Sequence, residues 1–239
     1  MRIAASIEYA GQNFSGWQKQ PRVKTIQGEL EKAIFSITKQ NIGTTAAGRT
    51  DSGVHALGQV IHFDTKLKRS MHSWVKGINA FLPESIRVKW AVEVSDDFHA
   101  RFSAKQREYQ YLLLNQPINS AIMRQNCGWT FYNLNIDLIK KSLLKFKGKH
   151  DFNAFRSSEC QAKSSVRTIS KICVKQHKEY FLFTFVADAF LQHQIRNMLG
   201  TILKVGYGAM DVSRIVFLLK QNDRRLVPAP FSPNGLYLT

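Results

Sequence analysis

Ala46-Ala47-Gly48-Arg49-Thr50-Asp51-Ser52-Gly53-Val54-His55-Ala56 is the stretch from which the rest of the chain is laid out. Thr44 to Ala47 form an apolar lead-in, and Leu57 to Phe63 alternate as a strand does. The segment is therefore a Gly-flanked turn between two strands. Such a turn can hold a side chain rigidly and still present it to a ligand. Locally, an Asx turn with Asp51 bonding its own backbone reads the same way.

Upstream, residues 2–9 read as a strand ending at Gly11. Thr25 can cap a helix whose apolar positions are Ile26, Leu30, Ala33, Ile34 and Ile37. Downstream, Ser70 can cap a helix with Trp74, Ile78, Phe81 and Leu82 on one face, closed by Pro83. Ile86, Val88, Trp90, Val92 and Val94 then alternate as a half-buried strand. The order β-α-β-β-α-β is the ferredoxin-like split unit.

The second half is similar but more decorated. Arg107 to Asn115 reads as a strand, and Ile136, Ile139, Leu143 and Phe146 mark a helix. Strands follow near Val166 to Val174 and at Tyr180 to Ala187. A helix starts at about Leu191, with Ile195, Met198, Leu199, Ile202 and Leu203 at helical spacing. Asp211 can cap another, with Ile215 and Leu218 or Leu219 inward, and Gly235 to Leu238 closes as a strand. The expected fold class is α+β. The expectation is two ferredoxin-like halves, 1–104 and 105–239, whose mainly antiparallel sheets can join into one platform with a basic RNA-binding cleft.

Charge narrows the partners. Thirty-four Lys and Arg against 17 Asp and Glu leave the 239-residue chain at +17. That excess attracts polyanions, and its spread from Arg2 to Arg225 points to a folded surface rather than a basic tail. No basic amphipathic helix suits a membrane surface, and no apolar run is long enough to span one. Cys127, Cys160 and Cys173 are odd in number and far apart, which suits a reducing compartment, the cytoplasm. No signal peptide is evident at the N-terminus.

The histidines and cysteines do not fall at metal-ligand spacing, and no Gly-rich nucleotide loop or G-x-S-x-G elbow is present. A mechanism without cofactor or metal is the economical expectation. Phe98-His99-Ala100-Arg101-Phe102-Ser103 combines aromatic rings with a cation. So does Arg107-Glu108-Tyr109-Gln110-Tyr111, which puts Tyr109 and Tyr111 on one face of a strand. Basic groups that hold phosphates beside rings that stack on bases are the chemistry of single-strand RNA recognition. Tyr109 also reads as an ordinary half-buried strand tyrosine, and Arg196 as a solvent-facing helix cation.

Taken in order, these motifs resemble the tRNA pseudouridine synthase A family. The resemblance rests on Ser15-Gly16-Trp17-Gln18 with Gln20, Gly48 to Ala56, Phe98 to Ala104, Tyr109 in Arg-x-Tyr-x-Tyr, Phe155-Arg156, Phe190 to Asn197, and Gly235 to Leu238. It covers nearly the whole chain. It implies isomerisation of uridine to pseudouridine at positions 38 to 40 of the tRNA anticodon stem-loop, by a cytoplasmic homodimer. Asp51 matches the essential aspartate, which attacks the ribose C1′ or otherwise assists glycosidic cleavage. Arg196 matches the arginine that pairs with that carboxylate, and Tyr109 the tyrosine that stacks on the base and shares in proton transfer. Arg49 matches the arginine of base extrusion, and Leu236 the apolar pocket wall. Arg101, Arg107 and His55 complete the expected substrate contacts. Glu108 departs from the pattern, where relatives often carry a second basic residue.

Two other functions compete. A non-catalytic tRNA-binding protein or RNA chaperone would share the charge and the rings but has no use for a buried carboxylate. A nucleoside-cleaving hydrolase or metal nuclease needs a second carboxylate or a metal cluster, for which Asp188 is the nearest candidate.

Overall fold

Six of the eight residues of β1 (Arg2–Tyr9) are buried, so this strand must be covered on both faces. It lies between β3 (His55–Asp64) and β4 (Ile86–Val94) and is antiparallel to each. The far side of β3 is shared by β2 (Thr45–Ala46) and by the end of β10 (Leu236–Leu238), which runs parallel to it. Helix α1 (Ile26–Thr38) packs on α2 (Met71–Phe81), and α2 on β4. Thr25 and Ser70 cap these helices, accepting the backbone N–H of Gly28 and of Ser73.

The computed structural model describes residues 1–239, which divide into two units: Met1–Lys105 with Tyr237–Thr239, and Gln106–Leu236.

In the second unit β5 (Arg107–Asn115), β9 (Tyr180–Ala187), β8 (Val166–His177) and β7 (Gly148–Asp151) follow one another antiparallel, and β6 (Gly128–Thr130) joins β5 in parallel. Phe181, Phe183 and Phe185 share one face of β9, their ring centres 6.5 and 6.4 Å apart. All three are buried, each contributing roughly 1.5–3 kcal/mol. Helix α3 (Ile136–Phe146) packs on α4 (Gln194–Gly206), on α5 (Ser213–Leu219) and on β8. Both units are thus mixed α/β, with mainly antiparallel strands.

Three local expectations change. Ile86 and Val88 are buried, but Trp90 and Val92 are each 45% exposed. A bulge at Lys89 is the cause. Ile7 faces Val88 while Ser6 faces Trp90, so the one-residue slip turns the rest of the apolar series onto the opposite face. Phe81, expected inward with Trp74 and Ile78, is 57% exposed because α2 ends there. Helix α4 begins at Gln194 rather than Leu191, because His193 is in the left-handed region (φ 63°) and breaks the helical run.

All three cysteines are free, and burial pushes the Cys127 thiol up to about 11, which keeps it protonated and unreactive. No helix is long and apolar enough to cross a membrane.

Candidate active site

The backbone of the turn between β2 and β3 is tied down on both sides of Asp51. Thr50 accepts the Trp17 N–H at its carbonyl (3.1 Å), and its hydroxyl lies 2.7 Å from that of Tyr9. Ser52 donates its hydroxyl to the Phe14 carbonyl (3.1 Å), and the Val54 N–H returns to the Asp51 carbonyl (3.2 Å). Gly53 takes φ 79°, a left-handed value that closes the turn at no steric penalty. Gly16 (φ 86°) lies against the turn so closely that a Cβ would sit 2.8 Å from the Thr50 carbonyl oxygen. The Ser15-Gly16-Trp17 motif is therefore the bed on which the Asp51 turn rests. Within the turn Arg49 is exposed and Asp51 half-buried.

His55 was expected to touch substrate. It is 2% exposed, its Nδ1 accepts the Gly11 N–H (3.2 Å), and its ring stacks 4.7 Å from Tyr237. In that position it buttresses the turn. Gln59 does the same from β3. Its side-chain amide donates to the Gly48 carbonyl (2.7 Å) while the residue is 0% exposed. Sequence reading passed over Gln59, yet a signal existed: a polar residue shares the strand face of buried Ile61 and Phe63.

Arg101 lies in the loop after β4, whose start is clamped by Arg2. The Arg2 guanidinium donates to the Phe98 carbonyl (2.9 Å), to the Asp96 carbonyl and to both Asp64 carboxylate oxygens (2.9 Å each). His62 Nδ1 accepts the Ala100 N–H (3.1 Å). Burial, then the charges of Arg2 and His99, hold the His62 imidazole below its ordinary value, so it stays neutral and able to accept.

In the second unit Tyr109 sits on β5 opposite Phe185, with its ring edge-on to Phe190 at 5.4 Å. Tyr111, on the same face, is fully buried and donates to the Ser232 carbonyl (2.9 Å). Arg107 at the start of the strand donates to the Asp188 carbonyl (3.1 Å). Arg196 occupies the first turn of α4 and is half-buried. The segment before β10 clasps it twice: Arg196 Nε donates to the Phe231 carbonyl (2.8 Å), and the Phe231 N–H donates to the Arg196 carbonyl (2.9 Å). Next to it Asn197, 0% exposed, donates to the Phe155 carbonyl (2.6 Å) and accepts from Arg224 (2.8 Å). Arg224 also donates to the carbonyls of Val227 and Pro228, at 2.6 and 3.0 Å. Leu236 is buried behind the Pro233 turn.

Asp188, the second carboxylate that a hydrolase would need, is engaged otherwise. Its Oδ1 accepts the N–H of Thr168 (3.1 Å) and of Ala189 (2.7 Å). No group of three or more His, Cys, Asp or Glu side chains is arranged to hold a metal ion. Each unit thus offers its own charged group on a braced backbone, a carboxylate in the first and a guanidinium in the second.

A family described as tRNA pseudouridine synthase matches residues 5–103 and 143–239. The chain is 47% identical to the tRNA pseudouridine synthase A of Methylobacillus flagellatus, over 100% of this chain and 92% of that protein. It is 46% identical to the protein of the same name from Nitrosomonas eutropha, over 100% and 86%. For that of Paraburkholderia phytofirmans the identity is 45%, over 99% and 88%. A solved Cbf5–Nop10–Gar1 complex aligns with 98% of this chain and 57% of that one at 14% identity and a TM-score of 0.33, a likeness too distant to bear on function.

Proposed function

The chain belongs to the tRNA pseudouridine synthase family, isomerases that convert uridine to pseudouridine in tRNA, and on that premise we propose that it modifies positions 38 to 40 of the anticodon stem-loop with Asp51 as the reacting carboxylate. The observation that carries the proposal is the half-buried Asp51 in a turn anchored through Thr50, Ser52 and Val54.

In the proposed reaction the C1′–N1 bond of the target uridine breaks. Asp51 either adds to C1′ or stabilises the cationic sugar, as a glycosidase carboxylate does. The freed uracil turns and C5 bonds to C1′, displacing the Asp51 carboxylate where it had added; C5 then loses its proton and N1 gains one. Arg196 pairs with Asp51, keeping it ionised and aimed. Tyr109 stacks on the base and shares in the proton transfer, and Leu236 walls the pocket. Arg49 helps the base leave its stack, since a stacked base is out of reach. Arg101 and Arg107 hold phosphates. His55 acts on the substrate only indirectly, through the turn it supports. The chemistry needs neither cofactor nor metal. The working form is a cytoplasmic homodimer.

Tritium release from [5-³H]uridine-labelled tRNA tests this, because pseudouridine cannot form without losing the C5 hydrogen. The wild type should release tritium, and Asp51→Asn should release none while still binding tRNA. Near-normal turnover by Asp51→Asn would remove Asp51 from the chemistry. Affinity should fall steeply with added salt as phosphate contacts are replaced by counterions.

A further inference from the structure

Of the loop Phe98-His99-Ala100-Arg101-Phe102-Ser103, the proposed chemistry uses only Arg101. Its most conspicuous member is Phe102, 76% exposed. Single exposed apolar side chains are common and carry no message by themselves. What sets this one apart is the support built beneath it.

The His99 ring stacks on Phe102 at 4.3 Å and 29°. His99 Nδ1 accepts the N–H of Arg101 (3.2 Å) and of Phe102 (3.3 Å), so one imidazole both packs on the ring and fixes the backbone that carries it. Ser103 closes the turn, its hydroxyl accepting the His99 N–H (3.0 Å) and its own N–H returning to the His99 carbonyl (2.8 Å). Below, His99 packs edge-on to buried His62 at 4.8 Å, and Arg2 clamps the loop's first carbonyls. The Arg101 guanidinium lies 5.6 Å from the Phe102 ring centre. A flexible apolar loop tip needs none of this. A ring that must offer a fixed surface does.

We propose that Phe102 is a stacking platform for an unpaired nucleobase of the bound RNA, with Arg101 neutralising the adjoining phosphate. This rests on the reading of tRNA as the substrate. Every base has a π-face, so a fixed ring beside a cation on a chain of net charge +17 suits a base and its phosphate together.

The test is tRNA affinity across a salt series, with tritium release by the wild type read on the same preparation. Phe102→Ala should weaken binding by between about fivefold and about 150-fold, the range for one stacked base. Phe102→Tyr should keep wild-type affinity, and Phe102→Leu should fall with Ala. The dependence of log Kd on log salt should be unchanged in Phe102→Ala, because stacking releases no counterion. Arg101→Ala should reduce that slope by about one. Wild-type affinity in Phe102→Ala, or full rescue by Leu, would overturn the platform. Loss of self-association in place of tRNA affinity would assign the ring to a protein contact and overturn it too. Tritium release by the wild type reports the parent reading separately, so failure of the platform is distinguishable from failure of that reading.

Discussion

The two regions that carry the candidate charges are braced in opposite ways. Asp51 sits in a turn held mostly by residues close to it in the fold of the first unit: Trp17 and Gln59 bond the turn's carbonyls, while Tyr9 and Phe14 hold the hydroxyls of Thr50 and Ser52. Arg196 sits on a regular helix, and regularity alone would leave its side chain to choose among rotamers. A remote segment makes that choice, since Phe231, 35 residues away, accepts from Nε and donates to the Arg196 carbonyl. In a turn the backbone aims the side chain. On a helix, a second piece of chain must do so.

That contrast can be broken experimentally. Asp51→Glu keeps the charge but moves it outward by one methylene. If the turn is a rigid mount, kcat should fall by about a hundredfold, the usual consequence of a 1 Å misplacement, with tRNA affinity retained. A mild effect would mean the turn adapts. Arg196→Lys keeps the charge but cannot donate through Nε while presenting a fork. Its kcat should fall by about tenfold, as for loss of one charge-assisted hydrogen bond. Activity equal to wild type would show that the Phe231 clasp does not aim the side chain.

Two stability measurements sharpen the same point. Gly16→Ala places a methyl against the Thr50 carbonyl at a left-handed φ, so thermal melting should report a loss of about 1–3 kcal/mol. Asn197→Ala strips a buried partner from both Phe155 and Arg224, and a loss of about 1–3 kcal/mol is expected there too. The first should damage turnover through Asp51, the second through Arg196.

The smallest effect concerns the Arg101–Phe102 loop. His62 titrates below its ordinary value of 6.5, chiefly through burial and then through Arg2 and His99, with Asp64 acting the other way. The unfolded chain therefore binds more protons than the fold just below pH 6.5. Stability linked to neutral His62 is complete above that value and is lost as pH falls through the lowered native one. The protection of the Ala100 amide, the intrinsic exchange rate divided by the observed rate at the same pH, should fall on acidification, and His62→Gln should remove that fall. Protection of the Ala100 amide that stays constant on acidification in the wild type would contradict the Nδ1 acceptor role.

Local signals were legible wherever a few neighbouring residues decide the outcome. The caps Thr25 and Ser70, strand β5, helix α3 and the Gly-flanked turn all follow from propensity, capping and periodicity. The same reasoning missed the bulge at Lys89, because an unbroken alternation in sequence cannot reveal that the partner strand skips a residue. Nor does a histidine in a polar turn give any hint that Tyr237 will stack on it.

The sequence by itself determined the α+β character, the net charge of +17 and, through its motifs, the family. Those depend on residue type and on spacing along the chain. Tertiary structure alone decided how each candidate group is held: Gln59 and Gly16 under the Asp51 turn, Phe231 and Asn197 about Arg196, and the two histidines beneath Phe102. Apart from the His99–Phe102 stack, these contacts join residues well separated in sequence. No local pattern encodes them, because they exist only once the core has packed and brought those backbones within hydrogen-bonding or van der Waals range.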